Sequence, residues 1–247
     1  MGNKIGIFDS GIGGITVLNE IIKILPNEEY LYYSDSKNNP YGNKSDEEII
    51  KICDDIVKYL INEGCDVIVI ACNTASAKAA GFLRNKYKEI TIIAIEPAYK
   101  MVYDYSYDKP TLVMATEGTI KSEKFNLLYE KYNNNNTYLL SCAGLADIIE
   151  AEDRYKIKEY LEKNIRNFRG KVKNVVLGCT HYPLIKEEIK EVLGDVIFFD
   201  GAPQLAKHLK NILEKAGNKK EIEKGVQFID TRGLEEKEKR FYNLLKL

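Results

Sequence analysis

Nine short apolar runs, most of them followed by a longer stretch of helical spacing, limit this chain to very few folds. The runs are Ile5–Phe8, Tyr30–Ser34, Val67–Ala71, Thr91–Ile95, Thr111–Ala115, Thr137–Leu140, Asn174–Leu177, Val196–Phe199 and Val226–Ile229. Each has strand length and is rich in β-branched or aromatic residues. Asp46–Glu63, Ala75–Lys88, Arg154–Phe168 and Leu234–Leu245 instead space their apolar residues for a helix. Alternation of this kind predicts parallel sheets with helices on both faces. Nine strands are too many for one sheet in 247 residues. The expectation is therefore two similar Rossmann-like or flavodoxin-like α/β domains with an active-site cleft between them. Residues 1–95 with 205–247 are assigned to one domain and 96–204 to the other. The Asn133–Asn136 run is a polar turn with no assigned role.

Composition removes several function classes. Charged residues make up 30% of the chain and the formal net charge is −1, so the basic excess of a nucleic-acid binder is missing. No stretch approaches the roughly 18 apolar residues of a membrane span. The start, "MGNKIGIFDSG", has no apolar signal core, and Gly6 stands where a myristoylation signal wants Ser or Thr. A cytoplasmic protein is expected. Five widely spaced cysteines without a CxxC pair predict free thiols rather than disulfides, and their spacing fits no zinc site.

Two of those cysteines stand apart. In "VIVIACNTASA" (67–77) and "VVLGCTHYP" (175–183), a buried-type strand ends in a small residue, then a cysteine, then two hydrogen-bonding residues. Ligands of open α/β sheets bind at the carboxyl ends of strands, where both thiols fall. Helix starts there favour a thiolate over the ordinary thiol, whose pKa is about 8.5. By contrast Cys53 and Cys65, on or beside a helical stretch, are expected as small core hydrophobes. A matched pair of thiols suits inversion at carbon, with a base removing a proton from one face and an acid returning one to the other. Nucleophilic catalysis would need one activated thiol. "GIGG" (11–14) lacks the third glycine of GxGxxG, because Thr16 stands there, and no Walker lysine follows. It is expected as a tight strand-to-helix turn. His208 is expected at the surface.

The chain resembles the glutamate racemases, cofactor-independent amino-acid racemases. "GIFDSGIGGITVL" (6–18), "NPYGNKS" (39–45), "ACNTASA" (71–77), "IEP" (95–97), "TEGTI" (116–120) and "LGCTHYPL" (177–184) follow in that family's order, and the match weakens after about Gly201. The resemblance implies two α/β domains, and L/D-glutamate interconversion without pyridoxal phosphate or metal, supplying D-glutamate for peptidoglycan. It implies that Cys72 takes the proton from D-glutamate and Cys179 from L-glutamate, with Asp9, Glu150 and His181 as supporting groups. Asp9, Ser10, Tyr41, Gly42, Asn73, Thr74, Thr119, Thr180 and His181 match its substrate contacts.

These residue types suit the ligand. Hydroxyls and helix-start N–H groups suit two carboxylates, and Asp9 suits an ammonium. His181, two residues past Cys179, can stabilise a thiolate or help protonate it. The expected partners are glutamate and a second copy of the chain as a homodimer, with no nucleic acid and no membrane. "SDSKNNPYG" (34–42) departs from the family's Gly-Asp-Thr, and Ala143–Gly144 replace its Pro and bulky apolar residues. Both departures bear on specificity more than on reaction type. An aspartate or broad-specificity racemase is the nearest rival. His181 weighs against it, because aspartate racemases usually have Glu there. A non-catalytic amino-acid-binding protein and a cysteine hydrolase leave the paired thiols without a purpose.

Overall fold

The computed structural model describes residues 2–217 and 222–246. It divides into two compact units, Met1–Ile95 with Ala202–Leu247, and Glu96–Gly201. The first unit contains β1 (Lys4–Asp9), α1 (Ile15–Ile24), β2 (Glu29–Ser34), α2 (Asp46–Asn62), β3 (Val67–Ile70), α3 (Asn73–Lys86) and β4 (Thr91–Ala94). The second follows with α4 (Tyr99–Ser106), β5 (Thr111–Ala115), α5 (Glu117–Ile120), α6 (Glu123–Tyr132), β6 (Thr137–Ser141), α7 (Leu145–Glu150), α8 (Arg154–Ile165), β7 (Asn174–Gly178), α9 (Lys186–Leu193) and β8 (Ile197–Asp200). The chain then returns to the first unit through α10 (Ala202–Ala216), β9 (Gly225–Asp230) and α11 (Glu235–Leu244).

Both sheets are parallel throughout, in the orders β4-β3-β1-β2-β9 and β6-β5-β7-β8. Taken from the start of each unit, both have their first four strands in the order second, first, third, fourth. β9 extends the first sheet beyond β2. The central strands β3 ("VIVI") and β7 ("NVVLG") are buried at every residue, which is why they are apolar runs rather than alternating ones. The edge strand β6 leaves Tyr138 and Leu139 exposed.

Local chemistry sets several helix limits. Ser45 and Glu48 form a reciprocal capping box at the start of α2. That helix buries Ile49, Cys53, Ile56, Val57 and Leu60 in the core, and Cys65 joins the same cluster, so both cysteines are the small hydrophobes expected. α3 begins at Asn73, earlier than the apolar spacing indicates, with Cys72 at its N-cap position in extended backbone. The helical stretch expected over Arg154–Phe168 ends as α8 at Ile165 and closes in a 3-10 turn. His208 is exposed on α10, and residues 133–136 form a loop.

Candidate active site

In the first unit, register brings three strand ends level. Phe8 lies beside Ile70, and Asp9 beside Ser34. Past the ladder, the Ala71 N–H donates to the Phe8 carbonyl and the Asp35 N–H to the Asp9 carbonyl, both at 2.9 Å. Asp9, Ser10, Asp35 and Cys72 therefore emerge together at the carboxyl ends of β1, β2 and β3. Strand order reverses here, with β2 on one side of β1 and β3 on the other, which is where open sheets bind ligands.

Cys72 caps α3 with extended backbone, and its carbonyl accepts the Ser76 N–H at 2.9 Å. Asn73 and Thr74 form the first turn, both buried. The Cys72 Sγ lies 3.9 Å from the Ser10 Oγ. Asp9 is fully buried, and its Oδ2 accepts from the Gly11 and Gly14 N–H groups at 3.2 and 3.1 Å. The glycine turn is tight because space demands it. A Cβ on Gly14 would stand 2.6 Å from the Tyr32 hydroxyl and 2.8 Å from the Asp9 Cβ.

Tyr41 and Gly42 lie in a one-turn 3-10 helix between β2 and α2. Tyr41 is buried and its hydroxyl donates to Asp35 Oδ2 at 2.6 Å. Burial, ahead of the nearby Cys53 and Asp35, pushes the phenol well above its ordinary pKa. A Cβ on Gly42 would have nothing within 4 Å, so the space beside this part of the turn is open.

The second unit repeats the address with different neighbours. Ala115 lies beside Gly178 at the ends of β5 and β7. A Cβ on Gly178 would stand 2.7 Å from the Ala115 Cβ and 3.0 Å from the Met114 carbonyl, so only glycine lets the strands approach. Cys179 follows at once. The Tyr182 N–H then donates to the Cys179 carbonyl at 3.1 Å, and His181 caps a 3-10 helix over Tyr182–Ile185. The expectation of a helix start at both thiols thus holds as an α-helix at Cys72 only. Pro183 and the buried Tyr182 make the second turn tight, and it carries the imidazole back beside the thiol.

His181 Nδ1 lies 3.8 Å from the Cys179 Sγ, and Nε2 lies 2.6 Å from Glu150 Oε2. Burial, the largest influence, disfavours the imidazolium. The bonds to Cys179 and Glu150 together outweigh it and raise the His181 pKa well above its ordinary 6.5. Glu150 is the last residue of α7, which Gly144 precedes as N-cap with φ +76°. Glycine at 144 therefore meets a backbone requirement. Thr119 is buried in α5, where its hydroxyl and N–H both bond the Thr116 Oγ, at 2.9 and 3.2 Å. Thr180 is buried beside Cys179.

A thiol beside an imidazole and a carboxylate, and a second thiol on a helix start in a duplicated sheet, are acid–base equipment. Residues 13–209 match the model of the Asp/Glu/hydantoin racemases. The chain belongs to this family. A glutamate racemase of Clostridium novyi (strain NT) is 44% identical over 216 residues, which is 85% of this chain and 83% of that one. The crystal structure of glutamate racemase from Francisella tularensis subsp. tularensis SCHU S4, in complex with D-glutamate, matches with a TM-score of 0.83 at 31% identity. That match covers 100% of this chain and 94% of the other. Escherichia coli glutamate racemase, in complex with L-glutamate and the activator UDP-MurNAc-Ala, matches with a TM-score of 0.86 at 26% identity, covering 99% and 93%.

Within this racemase fold the sequence-predicted residues form two groups. Asp9, Ser10, Tyr41, Gly42, Cys72, Asn73 and Thr74 belong to the first unit, and Thr119, Glu150, Cys179, Thr180 and His181 to the second. Sequence reasoning did not find the role of Asp35, which bonds Tyr41, nor that of Lys78. The Lys78 Nζ donates to the Lys44 carbonyl at the end of the Tyr41 loop, at 2.8 Å. Helical spacing marks Lys78 only as a residue of α3. For Asp35 the signal was present as the one family residue retained in "SDS".

Proposed function

We propose that this protein interconverts L- and D-glutamate by two-base proton transfer, with Cys72 and Cys179 as the bases. The observation that carries the reading is the duplicated address: each unit has a thiol within two residues of the end of its third strand, at the point where strand order reverses. From L-glutamate, the Cys179 thiolate takes the α-proton and the Cys72 thiol returns one to the opposite face, leaving Cys72 as thiolate. From D-glutamate the roles exchange. The buried His181, held by Glu150, sets positive charge beside Cys179, which a thiolate needs.

Ser10, Asn73, Thr74, Thr119 and Thr180 offer hydroxyl, amide and backbone donors to the two carboxylates, and Asp9 offers an acceptor to the ammonium. Because the Tyr41 hydroxyl is taken by Asp35, the contribution of Tyr41 and Gly42 is their backbone. The proposed setting is the bacterial cytoplasm, with the chain as a homodimer supplying D-glutamate for peptidoglycan. Its relatives are bacterial glutamate racemases, and no helix among the described residues is long and apolar enough to cross a membrane.

The test is solvent deuterium uptake by protein whose absorbance excludes pyridoxal phosphate. In heavy water, L-glutamate should give D-glutamate carrying α-deuterium from the first turnovers. The remaining L-glutamate should acquire label more slowly, because its own thiol must exchange first. Early product that retains its original α-hydrogen would refute the two-base scheme.

A further inference from the structure

The loop joining β2 to α2 carries Tyr41 and Gly42, and the first unit grips it from two directions. At its far end, Lys78 on α3 donates to the Lys44 carbonyl and pairs with Asp46, both at 2.8 Å. At its near end the grip comes from the C-terminal strand. β9 runs beside β2 up to Ser34 and Asp230, and the Thr231 N–H donates to the Ser34 carbonyl at 3.0 Å.

Thr231 then leaves the ladder and turns its side chain to the loop. Its Oγ1 accepts the Lys37 N–H at 2.8 Å and donates to Asp35 Oδ1 at 3.5 Å. The other carboxylate oxygen of Asp35 accepts the Tyr41 hydroxyl at 2.6 Å, and the Asn38 amide bridges both oxygens at 3.0 Å. Asp35 is 1% exposed, so its charge depends on these donors. Burial raises its pKa, and the bonds from Tyr41, Asn38 and Thr231 act against that rise.

The strand that supplies Thr231 is itself firmly held. Ser36 bonds Asp230, and Lys237 of α11 bonds both. Phe241 of α11 stacks on Phe228 of β9 with ring centres 4.3 Å apart. Asn19 of α1 bonds the Leu244 carbonyl and the Lys246 N–H, each at 2.9 Å. The C-terminal segment is thus fixed at both ends and can act as a support.

We propose that Thr231 is a positioning residue, through whose hydroxyl the C-terminal strand holds the Tyr41–Gly42 loop in its substrate-binding shape. The inference rests on the reading that this loop touches glutamate. Thr231 acts through Lys37 and Asp35 and has no direct part in proton transfer, so its removal should weaken binding and spare the chemical step.

The experiment compares Thr231→Val, which keeps shape and loses the hydroxyl, with Thr231→Ser, which keeps the hydroxyl. Glutamate racemisation is followed in both directions, together with amide hydrogen exchange over residues 36–44. Thr231→Val should raise KM about tenfold, the scale of one hydrogen-bond partner lost to the buried Asp35 carboxylate, while kcat stays within about twofold. Exchange in the loop should quicken, and Thr231→Ser should restore both. Unchanged KM and exchange in Thr231→Val would overturn the proposal. So would equal losses in kcat and kcat/KM with a lowered Tm that Thr231→Ser fails to correct, because that pattern marks general destabilisation. If the wild-type protein does not racemise glutamate, the proposed function fails, and loop exchange alone decides: faster in Thr231→Val sustains the positioning role, equal rates remove it.

Discussion

The two units share a strand order and a thiol address, yet they surround the thiol differently. Cys72 caps an α-helix and has the Ser10 hydroxyl at 3.9 Å. Cys179 precedes a 3-10 turn and has an imidazole at 3.8 Å, itself held by a carboxylate at 2.6 Å. Parallel topology fixes where a reactive residue can stand, at the end of the strand beside the order reversal. It does not fix what that residue is given to work with, which depends on the following turn and on what packs above it. A racemase must run both ways, and here each direction would start from a thiol in its own electrostatic setting.

The largest effect should come from breaking the pair. Cys72→Ser and Cys179→Ser should each lower racemisation by about 10²–10⁴-fold or more, since an alcohol is a poor base at neutral pH. Each variant should still eliminate halide from one enantiomer of a suitable halogenated glutamate, and the two should choose opposite hands. Near wild-type racemisation by either, measured by circular dichroism of the product, would end the two-thiol account.

A smaller effect should reveal the asymmetry. His181→Asn should slow turnover from L-glutamate more than from D-glutamate, by roughly 10²-fold, because the imidazole serves Cys179. The enantiomers are equal in energy, so the larger fall in kcat from L-glutamate must be matched by an equal fall in the KM of L-glutamate relative to that of D-glutamate. Glu150→Gln removes one of the two groups that raise the His181 pKa and leaves Cys179 alone to oppose burial, which lowers it. The activity limb set by the imidazolium should therefore move to lower pH. The sign for stability follows from the same shift. The charged pair stabilises the wild type fully below the unfolded value near 6.5, and the gain is lost as pH rises through the higher folded value. Equal kcat losses in both directions, or an unmoved pH limb, would mean the two thiols are served alike.

The smallest effect concerns two glycines in tight space, Gly178 at the end of β7 and Gly14 in the turn before α1. Gly178→Ala meets the Ala115 Cβ at 2.7 Å and the Met114 carbonyl at 3.0 Å, while Gly14→Ala meets Tyr32 and Asp9. Each should cost about 1–3 kcal/mol by overpacking, a Tm loss of several degrees in calorimetry. Gly14→Ala should also raise KM, because it presses on Asp9. A Gly178→Ala protein as stable as wild type would show that β5 and β7 can part without loss.

Much of this was legible in the chain. β-branched runs ended by a glycine or small residue marked the strands, and the echo between residues 67–77 and 175–183 marked both thiols. These signals are short-range: strand length, helical period and turn chemistry act within about ten residues. His181 beside Cys179 was legible for the same reason, being two residues away. The reach of Asp9 was less so. The sequence offers its carboxylate to an ammonium, whereas the fold turns one oxygen onto the Gly11 and Gly14 N–H groups.

By itself, then, the sequence determined the α/β class, the positions of the strands and the placement of a thiol after the third strand of each unit. Only the tertiary structure decided which side chains meet. It set Glu150 against His181 across 31 residues, gave the Tyr41 hydroxyl to Asp35, and brought Thr231 to Lys37 across 194. The physical reason is range. Local propensity is set by neighbours in the chain, but a contact between distant residues exists only after strand register and helix docking have fixed both ends. Neither periodicity nor composition carries that information.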